Sequence, residues 1–216
     1  DNGFIIAGYT KSNDMDVSGN HGDYDSWVVK TDSLGNIEWQ RCLGGNAEDW
    51  ANDICLTYNG YIVLNYSESN NGDVTGNHGD HDYWFVKLDY SGNIVWQKCF
   101  GGSDREQGNS LVATSDSGCI AIGRTFSTDG DVSNNSGDSD FWVVKLDSLS
   151  NLEWENCYGY DSNFNCSDHG HSIFQTHDGG YILAGYSSCS ATCYNTWDLW
   201  IIKIRSSGLT VWDKCI

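Results

Sequence analysis

One sentence is written four times along this chain, and no other feature constrains the fold as much. Its first copy carries Asp25, Trp27, Lys30, Gly35, Trp39 and Cys42. The second carries Asp82, Trp84, Lys87, Gly92, Trp96 and Cys99, and the third Asp140, Trp142, Lys145, Ser150, Trp154 and Cys157. The fourth runs from Asp198 through Trp200, Lys203, Gly208 and Trp212 to Cys215. The leading Trp stands at 27, 84, 142 and 200, a period of about 58 residues. A self-similar unit of that length, built from strand and turn signals, means a repeat architecture.

The second unit shows what each repeat holds. Ala51 to Tyr58 is a short mixed run ended by the hairpin dipeptide Asn59, Gly60. Tyr61 to Tyr66 and Tyr83 to Leu88 are rich in aromatic and β-branched residues, and Ile94 to Phe100 closes the unit. A polar loop joins the second strand to the third, and Asp89 to Asn93 turns the third into the fourth. No capping signal or 3.6-residue period argues for a helix. The expectation is an all-β fold, a β-propeller of four-stranded antiparallel blades with four repeats in one domain over 1–216. The repeats span about 1–44, 45–102, 103–160 and 161–216. A β-solenoid is the alternative. Gly3 to Tyr9 aligns with Gly180 to Tyr186, so the first repeat lacks its first strand and 15 strands are expected. Either the chain is a mature or trimmed piece of a longer protein, with further repeats of its own kind as partners, or a four-bladed ring closes with one blade a strand short.

Composition narrows the function classes. Thirty acidic residues against 11 basic ones give a formal charge of −19, which disfavours nucleic acid and anionic membranes as partners. No run of 18 apolar residues provides a helical membrane span. Proline is absent, so Gly, Asn, Asp and Ser must make the turns. Eight of the ten Trp recur and read as filling between blades, whereas Trp50 and Trp197 stand outside the pattern and are ligand-stacking candidates. The four recurring Lys are expected to pair with nearby carboxylates.

The loop between the second and third strands is the first candidate for chemistry. Asp14, Asp16, Ser18 and Asp25 follow the 1, 3, 5, 12 spacing of an EF-hand calcium loop, with Gly19 at the bend and Asp23 close by. The later copies offer Asn71, Asp73, Thr75, Asp80 and Asp82, then Asp129, Asp131, Ser133, Asp138 and Asp140. These residues are the expected Ca2+ ligands. A plain Asn/Asp/Gly turn is the competing reading. Asp198 persists in the fourth repeat after its loop has lost the other acids, so this Asp position also reads as an acceptor for backbone N–H groups at the strand start. His21 and His78 recur in the loop and read as hydrogen-bonding groups.

The nine cysteines divide into two sets. Cys42, Cys99, Cys157 and Cys215 hold one repeat position and read as small buried hydrophobes. In the last repeat, where acids give way, Cys166, Cys189 and Cys193 form a candidate disulfide set. Either Cys189 or Cys193 could bridge to Cys166, or the two could bond locally, and any of these implies an oxidising compartment.

At Gly180 to Ser187, Asp16 to Gly22 and the Lys-Leu-Asp hairpins, the chain resembles secreted bacterial propeller-repeat proteins of the Bacteroidetes type, often associated with type IX secretion. That resemblance implies an extracellular or cell-surface location and a binding or adhesive role. The hairpin is also similar to the Trp-docking motif of quinoprotein propellers, one residue shorter between Asp and Trp. The function expected is a non-enzymatic binding or adhesion module, calcium-stabilised, with a glycan or surface protein as ligand. A structural spacer is one alternative. A carbohydrate-active enzyme is another, and it would draw on the irregular residues Arg105, Glu106, Arg124, Asp161, Asp168, His169, His171 and His177.

Overall fold

A computed structural model describes residues 2–136, 138–159, 166–190 and 193–216, with backbone alone for 189, 190 and 193–196. Among the described residues the chain is all-β, with fifteen strands in four antiparallel sheets. Its contacts group into two compact units, Asp1–Phe100 and Gly101–Ile216.

The first unit holds two sheets. One has three strands, β1 (Phe4–Thr10), β2 (Asp25–Thr31) and β3 (Ile37–Leu43). The other has four, β4 (Asp49–Thr57), β5 (Gly60–Ser67), β6 (Asp82–Leu88) and β7 (Ile94–Phe100). The second unit repeats the four-stranded plan twice. Its strands are β8 (Glu106–Ala113), β9 (Cys119–Thr125), β10 (Asp140–Leu146) and β11 (Leu152–Tyr158), then β12 (Asp168–Gln175), β13 (Tyr181–Ser190), β14 (Cys193–Ile204) and β15 (Thr210–Cys215). Every sheet is a meander in which each strand pairs with its sequence neighbours. The second, third and fourth strands fall where the turn signals place them, and the first sheet starts at the second-strand position.

Burial follows strand position. β6 and β10 are buried along their whole length, because both of their faces are covered. They therefore read as continuous apolar runs broken only by a Lys. β3, β7 and β11 are exposed at their starts and buried at their ends. Two recurrent bulges shape each full sheet. One interrupts the first strand, at Ala51/Asp53, Gly108/Ser110 and Gly170/Ser172. The other follows the repeated Lys, at Lys30/Thr31, Lys87/Leu88, Lys145/Leu146 and Lys203/Ile204. Each bulge adds a local kink and twist that lets the sheet coil.

The repeated Trp do two different jobs. The leading Trp is core: Trp84 and Trp142 are fully buried, and their indole N–H groups donate to Gln97 and Glu155, each at 2.8 Å. The trailing Trp reaches into the hairpin of the next sheet. Trp39 Nε1 donates to the Tyr90 carbonyl and Trp154 Nε1 to that of Ser206, both at 3.1 Å. Each of these rings lies over a hairpin glycine. A Cβ on Gly92, whose φ is +78°, would fall 2.9 Å from the Trp39 ring. Gly92 is thus demanded twice, once by its left-handed backbone and once by the indole above it.

Cys42, Cys99, Cys157 and Cys215 carry free thiols and sit directly across from the leading Trp of their own sheets. Burial drives the Cys42 thiol up to about 11, with help from nearby Asp25, and pushes the Cys99 and Cys157 thiols up as well. These thiols are packing groups, since nucleophilic chemistry needs the thiolate.

Candidate functional site

The acidic loops are built around a buried valine that the sequence pattern did not single out. Val74 and Val132 insert into the core, which fixes the residues on either side. Asp73 then accepts the Gly44 N–H at 3.3 Å, and Asp131 accepts the Gly101 N–H at 3.2 Å. The backbone of each completes the clasp, with Asp73 N–H donating to the Gly44 carbonyl and Asp131 N–H to that of Gly101, each at 2.9 Å. On the other side of the valine, the Thr75 hydroxyl accepts from Gln97 at 2.5 Å, Ser18 accepts from Gln40 at 2.6 Å, and Ser133 bonds Glu155. Gln40, Gln97 and Glu155 also hold the indole N–H of the leading Trp. The loop is therefore stitched to the core Trp through one shared side chain.

The other residues expected to be calcium ligands turn to separate partners. Asn71 and Asp129 accept the N–H groups of Asn46 and Ser103, at 2.9 and 2.7 Å. Asp25 and Asp82 accept both the backbone N–H and the ring nitrogen of His21 and His78, and Asp140 accepts the Ser136 N–H. Asp23 pairs with Lys11, Asp80 with His81, and Asp138 accepts from Ser167. Asp14 and Asp16 are exposed to solvent. The loops thus spread these oxygens over several neighbours instead of gathering them about one point.

The repeated Lys meet carboxylates: Lys30 with Glu38, Lys145 with Asp116 and Glu153, and Lys203 with Asp178. Lys87 reaches the Thr57 hydroxyl. Burial opposes the charge on Lys145, but its two carboxylates outweigh that and raise its pKa.

Ladder register lays the strand ends out in rows. The inner row joins the first residue of the first strand, the end of the second and the start of the third: Asp49, Ser67 and Asp82 in one sheet, Glu106, Thr125 and Asp140 in another. Asp49 is fully buried and accepts from the Gly45 N–H at 2.7 Å, the Ser69 hydroxyl at 2.8 Å and the Ser67 hydroxyl. Glu106 accepts from the Gly102 N–H at 2.8 Å and the Thr125 hydroxyl at 2.6 Å. Glu106 and Asp168, which looked irregular in sequence, are therefore the counterparts of Asp49. Burial first, and then the neighbouring Asp168 charge, pushes Asp140 up to about 7.

Beyond that row the repeats diverge. Around β4, β5 and β6 the next positions are Glu48, Glu68 and His81. Around β8, β9 and β10 they are Arg105, Phe126 and Ser139. The same backbone bond spans both, from Glu68 N–H to the Glu48 carbonyl and from Phe126 N–H to the Arg105 carbonyl, each at 2.9 Å. Glu48, Glu68 and His81 bring potential metal-ligating atoms within 4.8 Å of one another. The sequence signal for this group was a departure from the repeat: His81 stands where Tyr24 and Ser139 stand.

The ligand-stacking candidates part company. Trp50 lies in an aromatic stack, with the Tyr9 ring 4.2 Å from its own and Tyr24 and Tyr66 beside it, so its faces are occupied. Trp197 is 57% exposed, with the His169 ring 5.0 Å away. Arg124 donates toward His169 and to Gln107, and His171 packs on the half-exposed Tyr186. His169 and Tyr186 are direct cross-strand partners, as are Tyr186 and Leu199, so these side chains share one sheet face. Burial, and then the Arg124 charge, lowers His169 to about 4 and leaves it neutral at physiological pH.

Cys166 is buried. The side chains of Cys189 and Cys193, and Asp161 altogether, lie outside the described residues.

No family model matches the chain, and no curated protein matches it. A crystal structure of a protein of unknown function from Bacteroides caccae is similar, with a TM-score of 0.45 and 10% identity, covering 89% of this chain and 77% of the other.

Proposed function

We propose that the chain is a secreted or cell-surface β-propeller, each sheet a blade, acting as a non-enzymatic binding module for a glycan. The observation that carries this reading is the face formed by Trp197, Tyr186, His169 and Arg124. It combines an exposed indole, at a position where other repeats place Tyr24, His81 and Ser139, with an exposed phenol shared with Tyr9 and Tyr66 and a fixed cation from the neighbouring sheet. A flat apolar ring flanked by hydrogen-bonding groups suits the face of a sugar, and apolar patches of this kind mark binding surfaces. A disulfide from Cys166 to Cys189 or Cys193 would brace the strands that carry Trp197, and it fits an oxidising location.

The test is an oligosaccharide array followed by calorimetry on the hits, using the wild type and Trp197→Ala. Binding that falls at least tenfold in the variant, with an unchanged melting temperature, supports the reading. Hits that bind the variant equally well would overturn it.

Calcium stabilisation is a second reading, favoured by the first loop, where the Asp14 and Asp16 carboxylates face solvent. Melts in millimolar calcium and in EDTA decide it. A midpoint rise that disappears in Asp14→Asn/Asp16→Asn assigns the ion to that loop. Coincident melts remove the ion from the account.

A further inference from the structure

We propose that Glu48, Glu68 and His81 form a binding site for one first-row divalent cation, with zinc the best-fitting class. Three strand ends build it. Glu48 immediately precedes β4, Glu68 follows β5, and His81 precedes β6, so ladder pairing of three adjacent strands delivers all three side chains to one sheet end. The Glu68 N–H bond to the Glu48 carbonyl fixes the two carboxylate-bearing residues relative to each other.

The chemistry of the donors fits. One imidazole nitrogen and two carboxylate oxygens lie within 4.8 Å of one another. Zinc is held by His nitrogen and carboxylate oxygen at about 2.0–2.2 Å, so its ligands sit a little over 3 Å apart and the cluster needs only a small contraction. His81 Nε2 already lies 2.9 Å from Glu68 Oε1.

The second observation is the ring itself. His81 is 6% exposed, packed against Tyr66, and its Nδ1 makes no aligned hydrogen bond although Asp80 Oδ1 stands 2.7 Å away. A buried imidazole backed by a carboxylate on one nitrogen and facing two more on the other is the arrangement that orients a histidine toward a metal. Charge points the same way. Three carboxylates surround one imidazole, so the group stays negative even when the ring is protonated, and a divalent cation would neutralise it. Hard oxygen-only ions are disfavoured by the imidazole, which suits zinc, copper or nickel.

The site belongs to one repeat. Lys11 and Tyr24 hold the matching positions in the first sheet, with Lys11 paired to Asp23, and Arg105, Phe126 and Ser139 hold them in the third. Neither set can ligate a cation in this way. The site is also separate from the acidic loops that follow calcium spacing, sharing with them only Asp80 as a supporting group.

The experiment titrates zinc, and separately cobalt(II), into the folded chain, wild type against Glu48→Gln/Glu68→Gln and Asp80→Asn. The expected result is one equivalent bound by the wild type, loss of that equivalent in the double variant, and affinity weakened about tenfold or more by Asp80→Asn. Cobalt reports the ligand type: its spectrum should lack the thiolate charge-transfer band that binding by the free cysteines would produce. Far-UV circular dichroism checks that the variants fold. The proposal fails if the wild type takes up no zinc, if the double variant binds as tightly, or if the cobalt spectrum shows thiolate.

Discussion

The inner and outer rows at the sheet ends make an instructive pair. In the inner row Asp49, Ser67 and Asp82 correspond to Glu106, Thr125 and Asp140, and the acids accept from the same types of donor in both sheets. One residue outward, Glu48, Glu68 and His81 stand where the other sheet has Arg105, Phe126 and Ser139. The backbone bond joining the outer positions is the same in both. Burial is complete along the inner row and uneven along the outer one, where Glu68 and Arg105 are exposed while His81 and Ser139 are buried. A buried carboxylate must be matched by donors, and a donor left without it costs about 1–3 kcal/mol, so an inner-row change strands several groups at once. At Glu48, Glu68, Arg105 and Phe126 the outer row is partly or fully exposed to solvent. Its side chains can change while the ladder stays, and individual chemistry can be placed there.

The largest effect should come from pH acting on the inner row. Asp140 is raised to about 7, so between about pH 4 and 7 the folded chain holds a proton that the unfolded chain has released. Its contribution to stability is complete below about pH 4 and is lost as the pH rises through about 7. The loss amounts to up to about 4 kcal/mol. His169, lowered to about 4, acts in the opposite sense, because its contribution disappears as the pH falls below the ordinary histidine range. The two slopes overlap in the wild type. The difference between wild type and Asp140→Asn, followed by urea unfolding from pH 4 to 8, isolates the Asp140 part. A difference that does not change with pH would remove Asp140 from the account.

Adjacent residues give the next test. Asp49→Ala should cost about 3 kcal/mol or more, because it leaves the Gly45 N–H and two buried hydroxyls without their acceptor. Glu48→Ala, one residue away, should stay within about 0.5 kcal/mol. Equal urea midpoints for the two variants would erase the distinction between rows.

A smaller loss, about 1–2 kcal/mol, is expected for Gly92→Ala, which places a methyl group against Trp39 at a left-handed backbone position. Gly19→Ala shares the positive φ but meets open space, so the gap between the two variants measures the indole contact alone. Smallest of all is Trp197→Ala, whose exposed ring predicts a stability change within about 0.5 kcal/mol whatever it does to ligand binding.

Much of the fold was legible before any coordinates. Tyr83 to Leu88 and Ile94 to Phe100 announced strands by composition, and Asn59 with Gly60 announced a hairpin, because turn chemistry and side-chain alternation are local. In the loops, order along the chain and side-chain direction are separate matters. Asp73 and Thr75 carry a calcium-like spacing, yet their oxygens point to Gly44 and Gln97 on opposite sides of a buried Val74. Spacing along the chain gives residue order but not side-chain direction, and the inserted valine sets the direction. The persistence of Asp198 without its neighbouring acids was the better guide, since it marked this Asp position as a backbone acceptor, the role that Asp25, Asp82 and Asp140 play in the structure.

By itself, then, the sequence determined the period, the strand and turn grammar, and which Trp, Asp, Lys and Cys recur as framework. Those properties depend on neighbours a few residues away. The tertiary structure decided which partners those residues take and which departures from the repeat converge. Glu48, Glu68 and His81 are separated by twenty and thirteen positions in the chain and meet only because ladder register, shifted by the bulge between Ala51 and Asp53, aligns three strand ends. Register is a collective property of the paired strands, and no single stretch of the sequence carries it.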